Sequence, residues 1–533
     1  MGGDLSGSVV ALLPAQAPAF GPLPPKRSTL PGSDTLAPPP AVTSCDSFVA
    51  ELLAGLASPA DVRDTTREAL LSGCLATHVA SGMSSGTGVP EATLRWLFTV
   101  ATSRNSDGEA ARCAGAVILT ACETAFVARG VPVPPAVEAA VTCARVYVTP
   151  HRRTATVART GGTAPVLGWA PSAPDFVAAL SALGVLGLST GEEGQQQQHV
   201  PGGGDVDMAD AADDDDLPPG FTAPAAQAPK QQPGSQAVGA PGAPMPLHVP
   251  MVLALLAPCL AARSSSGLPD PDAATASQLL LALARMSVDP QACDVAREPI
   301  RHAMEAIANA LSPADWATVL PAAAAQLATL PPSAAATAAA LHCMPLSSGR
   351  CRRLRALAAL VTLQHLPCTA CKTDQQHGSG APSTAEAAAS CVAVLQDAPL
   401  TAGLAMPVVD YAGLCAALRL GNAAMEALVA HGGDAGGGGA HGGGWAGLSD
   451  ADDSPASAQG GMPRILDAWR AALQQVAKKV RPSALNLAAV SANGEAARLL
   501  ARYGKRAASA RADGEVGGGH QSLGDASLGD DDV

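Results

Sequence analysis

His365, Cys368, Cys371 and His377 follow one another as H-x2-C-x2-C-x5-H. Zinc takes four nitrogen or sulfur ligands at tetrahedral corners, and a CxxC supplies two of them from one tight turn. No second knuckle of the usual spacing follows, so the stretch reads as loop cysteines, with a small structural zinc site as the alternative. Two G-x-S-x-G matches occur, Gly82–Gly86 around Ser84 and Gly187–Gly191 around Ser189. That motif makes a nucleophile only where the serine sits on a sharp turn between a buried strand and a helix. The first match occupies a Gly/Ser loop ahead of a helix and the second runs into a polar insert, so neither is expected to carry a reaction. Neither GxxxxGK[ST] nor HExxH is present, and the reading is of a non-enzyme with no cofactor and no small-molecule substrate.

The most concentrated charge is Arg350, Arg352, Arg353 and Arg355, four guanidinium groups in six residues. A helix opening after Ser348 places Leu354, Leu357, Ala358 and Val361 on one face and turns Arg352 and Arg355 away from it. The spacing therefore predicts a solvated helix face, or a docking patch for an acidic partner or the DNA backbone, since clustered guanidinium forks bind carboxylate and phosphate in pairs of hydrogen bonds. Lys478, Lys479 and Arg481 form a weaker basic cluster that also fits a minimal nuclear-import signal. Arg95 and Trp96 stand together before Leu97 and Phe98; Trp96 reads as packing, with an exposed interface anchor as the alternative. His78 falls on an apolar face and reads as a hydrogen-bonded core residue.

The elements that must carry these side chains are helices. Only 3% of the 533 residues are aromatic while 47% are hydrophobic, and Ala and Leu favour helices where strands want β-branched and aromatic side chains. Leu71, Cys74, Leu75 and His78 recur at helical spacing, as do Leu94, Leu97, Phe98 and Ala101 behind Pro90, and Ile300, Met304, Ile307 and Leu311. Ser312-Pro313-Ala314-Asp315 reads as a helix start whose helix buries Trp316, Val319, Leu320, Ala323 and Leu327. Trp469, Leu473, Val476 and Val480 mark one more. Composition divides the chain into a disordered tail at 1–43, a helical block at 44–188, an acidic Gln/Pro/Gly insert at 189–246, a second block at 247–430, a Gly-rich acidic linker at 431–462, C-terminal helices at 463–503 and a polar tail at 504–533. The three blocks are expected to form one body, because the third is too short to hold a core alone. The fold class expected is all-α, an irregular α-solenoid-like body with no fixed repeat length.

Acids exceed bases by 46 to 33, a net charge of −13, which argues against a dedicated nucleic-acid coat. No uninterrupted apolar run reaches the roughly 18 residues that span a bilayer, and the N-terminus lacks the basic region of a secretory signal. Gly2 with Ser6 matches the myristoylation pattern. Thirteen cysteines, an odd number, mostly within Ala/Leu-rich helical patterns such as those of Cys74, Cys113, Cys122 and Cys415, read as reduced core thiols.

Two stretches resemble a known family. The first runs Leu70-Leu71-Ser72-Gly73-Cys74-Leu75, then His78, Pro90 and Leu94-Arg95-Trp96-Leu97-Phe98. The second is Met344-Pro345 followed by Gly349-Arg350 and Leu354-Arg355, with Leu279–Met286 and the helices around Trp316 between them in order. Over roughly 47–430 the chain resembles the CANIN domain of the SMC-complex localization factor two proteins, which are similar to the non-SMC-element subunit six group. The resemblance implies a nuclear, all-helical, non-enzymatic scaffold. It would pair with a second helical subunit and recruit the five/six structural-maintenance-of-chromosomes complex to damaged or stalled DNA. Arg95, Trp96, Arg350, Arg352, Arg353 and Arg355 are then its partner-binding candidates. The alternative is an unrelated helical-repeat scaffold in a plastid or mitochondrion, associated with RNA.

Overall fold

The computed structural model describes residues 19–21, 59–85, 88–103, 106–144, 167–188, 245–365, 381–396, 410–434, 455–481 and 486–517, with short gaps at 247, 270, 290–291, 293 and 331–333. Over these residues the chain is all-α. Its helices are α1 Pro59–Leu71, α2 Cys74–Ser85, α3 Glu91–Thr102, α4 Gly108–Ala128, α5 Pro135–Ala144, α6 Ala173–Ala182, α7 Val249–Ser265 and α8 Ala273–Val288. They continue with α9 Asp294–Ala310, α10 Pro313–Ala328, α11 Ala334–Cys343, α12 Gly349–Gln364, α13 Thr384–Gln396, α14 Tyr411–Asp434, α15 Pro455–Lys479 and α16 Leu487–Gly517. The only extended pairing among the described residues is one antiparallel bridge, Phe20 with Val185.

Local chemistry sets the helix boundaries. Ser312 caps α10, accepting from the Asp315 amide at 3.1 Å while its hydroxyl donates to the Asp315 carboxylate at 2.7 Å, and Pro313 occupies the first helical position, where its missing N–H costs nothing. Ser172 and Asp175 form the same reciprocal box at α6, and Asp272 caps α8 through the Thr275 amide at 2.9 Å. Gly73, at φ +76°, separates α1 from α2. Leu71 and Cys74 therefore do not share one continuous helix as their spacing suggests, and Cys74 is exposed, whereas Cys113, Cys122 and Cys415 are buried as expected.

Packing runs between helices near one another in sequence: substantial contacts join elements no more than four steps apart. Four helices, α4, α7, α12 and α14, act as hubs. α7 is buried nearly all round and packs on α3, α4, α5, α6 and α9; α14 does the same against α11, α12, α13, α15 and α16. One continuous apolar core joins both ends, from Phe20 to Tyr503. Helix lengths from 10 to 31 residues show no fixed repeat. The windows Gly108–Val127 and Tyr411–Ala430 are long and apolar enough to cross a membrane although polar residues interrupt them; 83% and 78% of them are buried in the body.

Three composition-based boundaries shift. Residues 19–21, inside the expected N-terminal tail, are ordered: Phe20 is buried, the Ala19 amide donates to Asp289 Oδ2 at 2.7 Å and the Gly21 amide to Gly184 O at 2.8 Å. The Gly-rich 431–462 region contains the end of α14 and the start of α15, which Pro455 opens, and α16 continues to Gly517, into the expected tail. The remainder of 1–43 and 189–244, part of the insert, lie outside the described residues.

Candidate functional site

The arginine-rich helix is where the structure departs furthest from its helical-wheel reading. Ser348 caps α12, accepting from the Cys351 amide at 3.4 Å, and its hydroxyl donates to Asn309 Oδ1 at 2.7 Å, which fixes the start of α12 against the end of α9. Helix α12 packs on α9, α10, α11, α13 and α14. A helix enclosed on so many sides has no solvent face to give its arginines, and Arg350 and Arg355 are each only 1% exposed, with Arg352 also buried. The exposed docking patch expected of Arg350, Arg352 and Arg355 is thus corrected to an internal clamp.

The four guanidinium groups all reach backbone carbonyls. Arg350 donates to Ala308 O at 2.8 Å and Leu311 O at 2.6 Å, satisfying carbonyls left open where α9 ends, and its guanidinium carbon lies 5.8 Å from the Trp316 ring centre. Arg352 donates to Leu346 O at 3.0 Å. Arg353, half-buried, reaches Ala381 O at 2.9 Å and Pro382 O at 3.4 Å, just ahead of α13. Arg355 donates to Ala423 O at 3.1 Å and Met344 O at 3.4 Å, and its outer nitrogen is paired with the Glu426 carboxylate.

Glu426 was absent from the sequence candidates. One carboxylate oxygen takes Arg355; the other takes Arg502 of α16 and the Asn422 side-chain amide at 3.2 Å. Asn422 in turn accepts from the Tyr503 hydroxyl at 2.8 Å, and His342 Nδ1 of α11 stands 3.8 Å from the carboxylate. Burial alone would raise this carboxyl's pKa, but His342 and the guanidinium charges of Arg355 and Arg502 outweigh it and hold it at about 2. Burial in turn lowers the pKa of Arg355. One ionised carboxylate therefore ties α11, α12, α14 and α16 together. A signal was present: Asn422 and Glu426 stand four residues apart within the apolar stretch Leu420–Val429 of α14, where a polar pair needs internal partners.

At the other candidate segment, Trp96 is 6% exposed, so it packs in the core and is not an exposed anchor. Leu97 is fully enclosed, and Phe98 meets Trp169 and Phe176 edge-to-face at 6.2 and 5.3 Å. Arg95 is exposed; it bonds Glu91 at 2.6 Å and lies 4.8 Å from the Trp169 ring centre. His78 is half-buried.

His365 ends α12 as its C-cap, while Cys368, Cys371 and His377 lie outside the described residues. Among the described residues no three His, Cys, Asp or Glu side chains gather as a metal site would need. Ser84 sits in the last turn of α2, not on a strand-to-helix turn, and Ser189 lies outside the described residues. One surface depression, about 500 Å³, is lined by Asp64, Arg67, Glu68, Leu71 and Ser72.

Neither the protein-family models nor the curated proteins contain a match to this chain.

Proposed function

We propose that the chain is a non-enzymatic helical scaffold that recruits the five/six structural-maintenance-of-chromosomes complex to chromatin in genome maintenance. The observation that carries this reading is the ordered motif pair, Leu70–Leu75 through Phe98 and Met344 through Arg355, on the resemblance it bears to CANIN-type proteins. The all-helical body supports it, since a continuous core gives partner helices a rigid face to dock on. So does the position of both motifs at packing junctions: Leu97 and Phe98 at the α3 core, and Arg350 and Arg355 at the junction of α9, α12 and α14. Of the six partner-binding candidates, Arg95 retains an exposed side chain, and docking on this reading centres there.

Affinity purification from cells under replication stress, followed by mass spectrometry, tests the proposal. Recovery of SMC-type ATPases together with a second helical subunit is expected. A pull-down without any of them overturns it, and a fluorescent fusion found in plastid or mitochondrion favours the organellar scaffold instead.

A further inference from the structure

We propose that the C-terminal helix pair, α15 and α16, is a docking surface for the phosphate backbone of a nucleic-acid duplex. Charge is sharply segregated in this chain. Residues 455–517 hold ten bases and four acids, whereas the rest of the protein holds twenty-three bases and forty-two acids. A local surplus of this kind within an acidic chain is an electrostatic footprint that overall charge conceals.

Among the described side chains, Arg464, Lys478, Lys479, Arg481 and Arg498 lie on the outside. Asp467 and Glu495 each face an arginine of their own helix, Asp467 with Arg470 at 3.5 Å and Glu495 with Arg498. Arg502 turns inward to Glu426. Arg464, Gln474, Gln475, Lys478 and Arg481 are exposed, and Leu466, Trp469, Leu473 and Val476 face the core. Lys478 and Lys479 in the last turn also complement the helix dipole, but Arg464, well inside the helix, has no such role. Arg464 and Lys478 stand about 20 Å apart at 1.5 Å per residue, a length over which a duplex presents about a dozen phosphates.

The spread of these groups selects the ligand. Carboxylate-bearing peptides are best held by guanidinium groups converging on one point, and here the cations lie along a rigid rod with amide side chains between them, which suits contact with successive phosphates. Single strands are held by stacking on exposed aromatic rings, and both aromatics described on this pair, Trp469 and Tyr503, are buried against each other at 6.3 Å. Contacts to phosphates carry no sequence information, so binding is sequence-independent. This inference rests on charge placement and is independent of which protein partners the scaffold holds.

The test is fluorescence anisotropy of the full chain with a labelled 30-base-pair DNA duplex at about 50 and 200 mM salt. The wild type should bind at the lower salt and weaken steeply at the higher. Lys478→Glu with Lys479→Glu and Arg481→Glu should weaken binding at least tenfold and reduce the salt slope by about three, while the chain still melts cooperatively, at a temperature lowered only by the lost helix-end charges. Absence of duplex binding at the lower salt, wild-type affinity in the variant, tighter binding to a single strand of equal length, or stronger competition by poly-glutamate than by unlabelled duplex would each overturn the proposal.

Discussion

At the scale of single residues, the informative group is a carboxylate. Glu426 is held at about 2 against an ordinary 4.5. A carboxyl whose pKa is lowered on folding contributes stability that is fully present above its unfolded value and is lost as pH falls through its folded value. The protein should therefore hold its stability near neutrality and begin to lose Glu426's share as pH drops below 4.5, with that share gone by about 2; the share is on the order of 3 kcal/mol. Urea unfolding across this window should show a shallower pH slope for Glu426→Gln than for wild type, and equal slopes would show that the carboxylate is not held as described. Leu97, fully enclosed in α3, gives a second prediction. Leu97→Asp should cost several kcal/mol by burying an unpaired carboxylate, and a wild-type melting temperature would contradict the packing.

At the scale of elements, α14 passes close beneath a tryptophan. A methyl group at Gly421 would lie 2.6 Å from Leu395 Cδ1 and 2.8 Å from the Trp469 ring. The ring is rigid and buried, so Gly421→Ala should lower stability by about 1–3 kcal/mol, whereas Gly494→Ala, in open space on α16, should raise stability slightly through better helix propensity. Chemical denaturation of both variants checks the pair, and equal effects would contradict the placement of Trp469. Helix starts were legible in the chain wherever a cap and a Pro carried them, as at Ser312-Pro313, and apolar faces wherever one side of a helix meets solvent, as with Trp469, Leu473, Val476 and Val480. The arginine block was not legible. A helical wheel assigns every charge to solvent, and only the tertiary arrangement shows that α12 has neighbours on nearly all sides and that the end of α9 supplies carbonyls needing donors. Glycine content likewise pointed to a linker at 431–433, where α14 continues.

At the scale of the whole molecule, the hub helices and one continuous core make a body whose C-terminal pair is attached through Glu426, Arg502 and Tyr503. Breaking a buried ion pair by removing one partner leaves an uncompensated charge, at a cost of about 3–5 kcal/mol. The wheel reading expects Arg352→Glu with Arg355→Glu to leave folding nearly unchanged, because it puts both groups in solvent. The structure reverses that expectation: the same pair of changes sets two carboxylates inside the protein and places one of them against Glu426. The direct test is a circular-dichroism melt of this double variant, read beside its capture of partners from cell extract. A lost or strongly lowered transition is the result expected if the arginine block clamps the body together. A wild-type melt accompanied by loss of partner capture would show that these arginines face outward, and would contradict the account.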